Sequence, residues 1–260
     1  MAVALAAIVA AADQPLVTDG AHVRHFALMS RLVHQHLDVT LVTPAAATAG
    51  RPLLVFLHGR GANQDSELSA ELFTALRTLG ASAPVVVFPD GGDHSYWHDR
   101  SGAAWGSYIL REVIPAAVRL SGADPRRVAI GGISMGGFGA YDLARLAPRR
   151  FCAIGGHSAA LWTSAGDTAA GAFDNSADFA RHDVIAAARA HPGVYGNARL
   201  WLDGGDQDPF HGADETLAAA LHIDMHVWPG AHNSDYWNAH WADYLTFYAA
   251  ALAGCHPGAS

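Results

Sequence analysis

One serine stands among glycines in the stretch GGISMGGFGA, residues 131–140. Residues 132–136 read G-x-S-x-G, with a short apolar run before them and a segment of helical character after them. This context is typical of a nucleophile elbow, a strained strand-to-helix turn that lifts a serine hydroxyl above a sheet. Ser134 is therefore the candidate nucleophile. The backbone N–H of Met135, at the start of the helix, is a candidate donor to an oxyanion.

A serine hydroxyl is a poor nucleophile at neutral pH unless a base, itself oriented by a carboxylate, takes its proton. In chains with this elbow the acid and then the histidine follow the serine, each after a strand. His232, in the stretch PGAHNSDYW, is the candidate base. The stretch LDGGDQDPF offers three carboxylates. We favour Asp208, which lies past the turn, with Asp206 as the alternative and Asp203, inside the predicted strand, as a structural residue.

The loop after the apolar run 52–58 carries the sequence HGRG, which resembles the H-G-x-G oxyanion turn. A backbone N–H of this loop is expected to face that of Met135, and the N–H of Arg60 is the best candidate. We expect His58 to hold the loop in place by hydrogen bonds rather than to take part in the chemistry.

Two other uses of a Gly-rich turn are disfavoured. A dinucleotide-binding turn has glycine where this chain has Ser134, and an acidic residue about 20 positions further on, which FCAIGGH does not supply. A phosphate-binding P-loop needs Gly-Lys followed by Ser or Thr, and this is absent as well. We expect no cofactor.

The chain contains 16 histidines, so a metal site must be considered. His34 and His36 alternate with apolar residues on a predicted strand, but no third ligand is recognisable. His94 and His98 have i, i+4 spacing but fall in a loop rich in Gly and Asp. Neither pair is favoured as a ligand set, and we expect no bound metal.

Strand-like and helix-like segments alternate along the chain. Buried apolar strands between helices predict a mainly parallel central sheet with helices on both faces, and the early alternating strands predict an antiparallel edge. No large separate cap domain is expected. The segment 157–180 has no clear period and is either a loop that covers the site or a surface excursion. Strands are predicted at 52–58, 83–89, 126–132, 151–156, 198–205 and 223–229, and helices at 66–80, 104–120, 135–147, 177–190, 212–221 and 235–252.

The composition, 51% apolar and 15% charged over 260 residues, is that of one globular domain, assigned to 14–260. Residues 1–13 are either the remnant of a targeting signal or a packed apolar segment. A net charge of −8 argues against a nucleic-acid partner, and no apolar run has the length of a membrane span. The compartment stays open, with the cytoplasm slightly favoured over secretion. Cys152 and Cys255 could form a disulfide, but two unpaired thiols are favoured.

The motifs together resemble the esterase D-type branch of the α/β hydrolases, which includes S-formylglutathione hydrolase and the antigen 85 mycolyltransferases. LLVFLHGRGAN resembles the oxyanion loop of that branch, RRVAIGGISMGGFGAYDLARLAPRRF its elbow segment and LDGGDQDPF its acid turn. The resemblance covers roughly residues 28–250. It implies the α/β-hydrolase fold and a serine esterase, and it supports Asp208 as the acid.

We therefore predict a serine carboxylic ester hydrolase that forms an acyl-enzyme with short-chain, sugar-linked or aromatic acyl esters, all small molecules. Acyl transfer to an alcohol, thioester hydrolysis and a silent binding protein on the same scaffold are the alternatives. Trp97, Trp162 and Trp237 are the candidate substrate contacts, because aromatic platforms suit sugars and aromatic acyl groups. Such residues are equally ordinary core material.

Overall fold

The computed structural model describes residues 16–46 and 49–255, so the segment 1–13 lies outside the described residues. A central sheet of eight strands dominates it, and two short strands form a separate hairpin. The strands are β1 His22–Met29, β2 His36–Thr43, β3 Leu53–Leu57, β4 Val85–Pro89, β5 Asp99–Arg100, β6 Ala103–Ala104, β7 Val128–Ile133, β8 Ala153–His157, β9 Arg199–Gly205 and β10 Met225–Trp228.

The order in the central sheet is β1-β2-β4-β3-β7-β8-β9-β10. The six strands from β4 to β10 in this order run parallel, whereas β2 is antiparallel to β4 and β1 is antiparallel to β2. This confirms the predicted parallel sheet with an antiparallel edge. Every residue of β3, β4, β7 and β8 is buried, as expected for strands covered on both faces.

Helices cover both faces of the sheet, as predicted. The helices are α1 Ala70–Leu79, α2 Trp105–Tyr108, α3 Ile114–Ser121, α4 Met135–Leu146, α5 Ser176–His182, α6 Val184–Ala190, α7 His211–Leu221, α8 Ser234–Ala239 and α9 Trp241–Ala253. Alternate side chains of β3 point to opposite faces of the sheet: Leu54 and Phe56 pack with α1 and α9, and Val55 packs with α4, α6 and α7.

Three of the predicted helices are interrupted in the structure. A π-helical turn, Ile109–Val113, separates α2 from α3. Asp183 ends α5, and its side chain accepts a hydrogen bond from the N–H of Ala186 to begin α6. His240 divides the last predicted helix into α8 and α9. Apolar periodicity continues through such breaks and therefore does not reveal them.

The prediction of two unpaired thiols is wrong, because Cys152 and Cys255 form a disulfide. Their Cα atoms lie 5.8 Å apart although 103 positions separate them in sequence. The bond connects the chain directly after α9 to the residue that precedes β8. Sequence spacing does not reveal this proximity, because it arises only when α9 packs across the sheet.

Replacing both cysteines with serine is expected to lower the stability of the fold. The chain-entropy model gives up to about 4.7 kcal/mol for a closed loop of about 100 residues, and a lowering of Tm by up to roughly 10–15 °C. Thermal unfolding of the variant and the wild type, each with and without reductant, measures the effect. The reductant should lower the Tm of the wild type alone. An equal Tm for all four samples would show that the bond contributes nothing.

Candidate active site

Ser134 sits between the end of β7 and the start of α4 with φ of 54°, a conformation that is strained for any residue but glycine. A side chain at Gly132 or Gly136 would collide with the carbonyl oxygen of Leu57, the last residue of β3. Glycine at both positions thus lets the elbow lie directly against the end of β3. The serine is largely buried in this turn.

The three residues proposed as nucleophile, base and acid are brought together. The Nε2 atom of His232 lies 2.8 Å from the Oγ atom of Ser134. The Nδ1 atom of the same ring lies 2.9 Å from a carboxylate oxygen of Asp208. Since a carboxylate only accepts, Nδ1–H donates to Asp208, and in the neutral ring Nε2 is left to accept the hydroxyl proton of Ser134.

Local hydrogen bonds fix both loops. The N–H of Phe210 donates to Asp208 Oδ1 at 2.8 Å, which closes a turn around the carboxylate. The N–H of Gln207 donates to the carbonyl of Gly230 at 2.9 Å and so links the acid loop to the histidine loop. Directly after His232, the side chain of Asn233 caps α8 by accepting from the N–H of Tyr236. The histidine is thereby held between two anchored positions.

The electrostatics of Asp208 favour its charged form. Burial by itself would raise the pKa of this carboxyl, but hydrogen bonds from His232 and from the N–H of Phe210 outweigh it, and the pKa lies below its usual value. Ser158 contributes a further hydrogen bond in the same direction. The carboxyl of Asp208 is therefore ionised near neutral pH, and its charge can stabilise an imidazolium on His232.

The oxyanion loop follows β3 and touches the nucleophile: a Cβ added at Gly59 would lie 3.3 Å from that of Ser134. Met135 is the first residue of α4, so its N–H has no acceptor one turn back. No hydrogen-bond acceptor for the N–H of Arg60 is found within 16–46 and 49–255. His58 is buried, and its Nε2 accepts from the N–H of Gly91 at 2.9 Å.

The other two acids of the stretch LDGGDQDPF lie elsewhere. Asp206 is exposed and accepts from the N–H of Gly230 at 3.0 Å. Asp203 is fully buried with His157, whose Nδ1 lies 2.6 Å from Asp203 Oδ1, and it also accepts from Tyr236 and Tyr244. In this second His–Asp pair, Nε2 of His157 lies 2.9 Å from the hydroxyl of Tyr248, so the pair forms part of the core.

The prediction that Trp97 contacts substrate is wrong. Its side chain has no exposed surface, and its ring fills the space beside Gly91 and Gly139, where any Cβ would collide with it. Its Nε1–H donates to the carbonyl of His58 at 3.2 Å. Trp97 thus supports the oxyanion loop from behind. Its position in a loop near the expected active site did not reveal whether the Trp97 ring is buried or exposed to substrate.

Trp162 and Trp237 lie near the histidine and are half-buried. The ring of Trp237 lies 5.1 Å from that of His232, edge to face. Phe210, which the sequence analysis missed, lies 5.1 Å from His232 and 5.7 Å from Trp162. Its place two residues after Asp208 was the available signal. We call Trp162, Phe210 and Trp237 the aromatic wall.

Ser158 is a further residue that the sequence analysis missed. It is fully buried with φ of 49°, directly after β8, and accepts from Nε1–H of Trp237 at 3.1 Å. Through its second hydrogen bond, to Asp208, it connects the acid with one member of the aromatic wall. Its position at the carboxyl end of a parallel strand, where sites of this fold class gather, was the only sequence signal.

Asp214, in the first turn of α7, is a buried carboxyl without a function in this arrangement. Neither of its oxygens accepts a well-formed hydrogen bond among the described residues. Burial, followed by the charges of Asp208 and Asp203, holds its pKa well above the usual value of 3.8, and the nearby N–H of Ala159 lowers this pKa only weakly. The folded protein therefore keeps a proton that the unfolded chain releases.

The stability of Asp214→Asn, compared with that of the wild type at the same pH, should increase as the pH rises. Because the folded pKa of Asp214 is raised, the wild type loses up to about 1.4 kcal/mol of stability per pH unit from near pH 4 toward the folded pKa. Asparagine has a similar shape and does not titrate. Urea unfolding at pH 5, 6 and 7 measures the difference, with Asp206→Asn as the control. A difference that does not change with pH would contradict this account.

The two histidine pairs weighed from sequence differ in burial. His34 and His36 are exposed, and His94 is exposed whereas His98 is buried. Within the described ranges the one group with metal-like spacing is His98, Asp178 and His182, which the sequence analysis did not bring together.

Comparison with known proteins decides the family. A family model described as putative esterase matches residues 30–248. The chain belongs to the putative esterase family. Membership supports a carboxylic ester hydrolase, and it agrees with the resemblance drawn from the motifs over nearly the same range.

Among relatives of this esterase-family protein, an esterase of Mycobacterium tuberculosis is 32% identical over 122 residues, 43% of this chain and 26% of that protein. The MPT51/MPB51 antigen of Mycobacterium bovis is 31% identical over 125 residues, 46% of this chain and 42% of the antigen. The alignments thus span less than half the length of either relative.

Solved structures bear on the fold of this esterase-family protein. A ferulic acid esterase superposes with a TM-score of 0.78 at 18% identity, over 89% of this chain and 98% of that one. An S-formylglutathione hydrolase from Agrobacterium tumefaciens gives 0.76 at 19% identity, over 90% and 96%. The fold is therefore that of the α/β-hydrolase esterases. In the described residues, no helix has the length and apolar character needed to cross a membrane.

Proposed function

We propose that this protein is a serine esterase that hydrolyses carboxylic esters through an acyl-enzyme. The observation that carries the proposal is the continuous chain of hydrogen bonds from Ser134 through His232 to Asp208, with heavy-atom distances of 2.8 and 2.9 Å. The first distance lies in the range in which a base takes a proton from a nucleophile, and the second is that of a carboxylate that orients the base.

In the first half-reaction, Ser134 Oγ attacks the ester carbonyl and His232 Nε2 takes its proton. The N–H groups of Met135 and Arg60 donate to the oxyanion of the tetrahedral intermediate. His232 then gives the proton to the departing alcohol, which leaves the acyl group on Ser134. Water, activated by the same imidazole, releases the acid in the second half-reaction. Asp208 keeps the ring in the required tautomer throughout.

The aromatic wall supports a preference for flat acyl groups. Phe210 and Trp237 are half-buried beside His232, and Trp162, also half-buried, packs on Phe210, so the three rings offer apolar surface next to the base. Aromatic rings bind other rings edge to face or offset, with about 0.5–1.5 kcal/mol for each pair beyond the area that they bury. An ester of an aromatic acid, linked to a simple alcohol or to a sugar, is therefore the proposed substrate class.

A hydrolysis panel tests the substrate class. We expect methyl ferulate to be hydrolysed with a higher kcat/KM than an acetylated sugar, p-nitrophenyl acetate or S-formylglutathione. Trp162→Ala should lower kcat/KM for the ferulate by about 2–10-fold and leave that for the acetate unchanged. Trp228→Ala, which changes a half-buried tryptophan on β10 outside the wall, is the control. An equal loss on both substrates would refute the aromatic preference but not the esterase.

We also propose that the protein works in an oxidising compartment. The disulfide between Cys152 and Cys255 supports this location, since such bonds persist mainly outside the reducing cytoplasm. The proposal departs from the slight preference for the cytoplasm in the sequence analysis. Mass spectrometry of protein taken from its native host, with free thiols blocked on lysis, tests it.

A further inference from the structure

A second cluster of ionisable residues lies behind the aromatic wall. His98 comes from the loop between β4 and β5, whereas Asp178 and His182 lie one turn apart on α5. Their exposed fractions are 0%, 0% and 7%. Nothing in the proposed ester chemistry uses these three residues.

The three side chains converge with the spacing of a metal site. His98 Nε2 lies 3.2 Å from Asp178 Oδ2, and His182 Nε2 lies 3.8 Å from Asp178 Oδ1. One ligand atom from each residue falls within 4.8 Å of the other two. Tetrahedral ligands of Zn²⁺, at about 2.0–2.2 Å from the ion, lie roughly 3.3–3.6 Å from one another. The spacing therefore needs only small adjustments to hold such an ion.

The hydrogen bonding of His182 leaves a position for a cation. Its Nδ1 lies 2.8 Å from Asp142 Oδ2, so Nδ1 carries the proton that is donated to this carboxylate. In a neutral ring, Nε2 then presents a lone pair toward the carboxylate of Asp178. Two electron-rich atoms facing each other in a buried site repel unless a positive charge lies between them. Arg181 offsets part of the negative charge of Asp178 Oδ1, and a second proton on His182 or a metal ion would fill the position that faces the lone pair of Nε2.

We propose that His98, Asp178 and His182 bind one divalent transition-metal ion, with Zn²⁺ the best match. Two imidazoles and a carboxylate form a ligand set that suits this ion. The Asp142–His182 hydrogen bond corresponds to the carboxylate that commonly orients a ligating histidine from behind. The close sequence neighbour His94 takes no part, because it is exposed beside Asp93.

Three donors surround the carboxylate of Asp178: Arg181, the N–H of Asp174 and, in the metal-free protein, Nε2–H of His98, which lies 3.2 Å from Oδ2. Arg145 pairs with Asp142 at 2.6 Å and Arg181 pairs with Asp178 Oδ1 at 2.8 Å. The N–H of Asp174 donates to Asp178 Oδ2 at 2.9 Å. An ionised carboxylate has about four lone-pair positions, so Asp178 can keep its bonds from Arg181 and Asp174 while a metal ion replaces the bond from His98. The proton of that ring then lies on Nδ1, which has no hydrogen-bond partner among the described residues. The arginines offset the two carboxylates, and the ion would add its own charge to a neutral cluster.

A metal here would fasten α5 to the loop after β4. The ring of His98 stacks on Phe173 at 5.1 Å, and Phe173 lies 6.0 Å from Trp162 of the aromatic wall. The ion would thus be structural, remote from Ser134, and would stiffen the support of the wall. This inference does not depend on the proposed esterase mechanism.

The test uses tag-free, full-length protein that has been stripped with a chelator and dialysed. Calorimetric titration with Zn²⁺ and elemental analysis should give one ion for each chain in the wild type. The Tm should rise by about 5–10 °C when free Zn²⁺ is one hundred times Kd. Co²⁺ should bind with the visible absorption bands of a four-coordinate site. This last measurement needs no variant and so does not depend on a mutant that folds.

His98→Gln and His182→Gln should lose the bound ion, and His94→Gln, the matched control, should keep it. Near-ultraviolet circular dichroism of the same samples shows whether each variant is folded, and this readout does not depend on the ester chemistry. A wild type that takes up no Zn²⁺ at 1:1 stoichiometry would overturn the proposal in favour of a second proton on His182. Equal uptake by the His94, His98 and His182 variants would overturn it in favour of binding to surface histidines.

Discussion

Replacing Ser134 with alanine is expected to lower kcat for ester hydrolysis by about 10⁶-fold, the loss expected when nucleophile, base and acid act as a unit. Alanine removes the atom that attacks the carbonyl, and neither His232 nor the oxyanion donors can supply another nucleophile of that strength. Water attack assisted by the remaining site would account for the residual rate. Steady-state rates on a chromogenic acetate, with enzyme concentration raised to measure slow turnover, give the value.

The fold should be preserved in this variant. Alanine has the same Cβ as serine, so the strain at φ of 54° is unchanged, and the side chain of Ser134 makes no helix-capping hydrogen bond that would be lost. Ser164→Ala, in the exposed part of the segment 157–180, is the matched control and should keep full activity. Retention of more than a few per cent of the rate by Ser134→Ala, in protein free of wild-type contamination, would refute the nucleophile.

Replacing Asp208 with asparagine is expected to lower kcat by up to about 10⁴-fold. An asparagine amide can donate to Nδ1 of His232, which would then carry its proton on Nε2, the atom that must accept from Ser134. The variant also loses the negative charge that stabilises the imidazolium. Because the pKa of Asp208 is lowered, the wild type keeps this charge as the pH falls until the pH passes below about 3.8.

Asp206→Asn is the matched control for this prediction. Asp206 lies two residues away on the same loop, is exposed, and contacts the N–H of Gly230 rather than His232. Its replacement should change kcat by less than about threefold, since an amide oxygen can still accept that hydrogen bond. A larger loss from Asp206→Asn than from Asp208→Asn would mean that the acid has been assigned to the wrong carboxylate.

The sequence predicted the parallel sheet and its antiparallel edge well because these features follow from local patterns. Buried runs such as VVVFP in β4 and VAIGGI in β7 are apolar on both faces, which only a sheet covered by helices explains. The sequence order of Ser134, Asp208 and His232 likewise followed from strand ends, where loops of a parallel sheet meet. Each of these conclusions needed only residues close together in sequence.

What the sequence did not predict depends on contacts between distant segments. The disulfide forms only because α9 packs across the sheet. The cluster of His98, Asp178 and His182 forms only because the loop after β4 contacts α5, and His98 and Asp178 are 80 positions apart in sequence. The burial of Trp97 depended on two glycines, one in its own loop and one in α4. The local sequence pattern contains no information on such long-range contacts, because they depend on how whole helices, strands and loops pack together.

The most direct test of the serine mechanism is mass spectrometry of the wild-type protein after treatment with a fluorophosphonate. The account predicts one adduct for each chain, located on Ser134 by peptide fragmentation, with loss of esterase activity in proportion to labelling and no adduct on Ser134→Ala. An active esterase that stays unlabelled, or that loses activity through an adduct on another residue while Ser134 remains free, would contradict it.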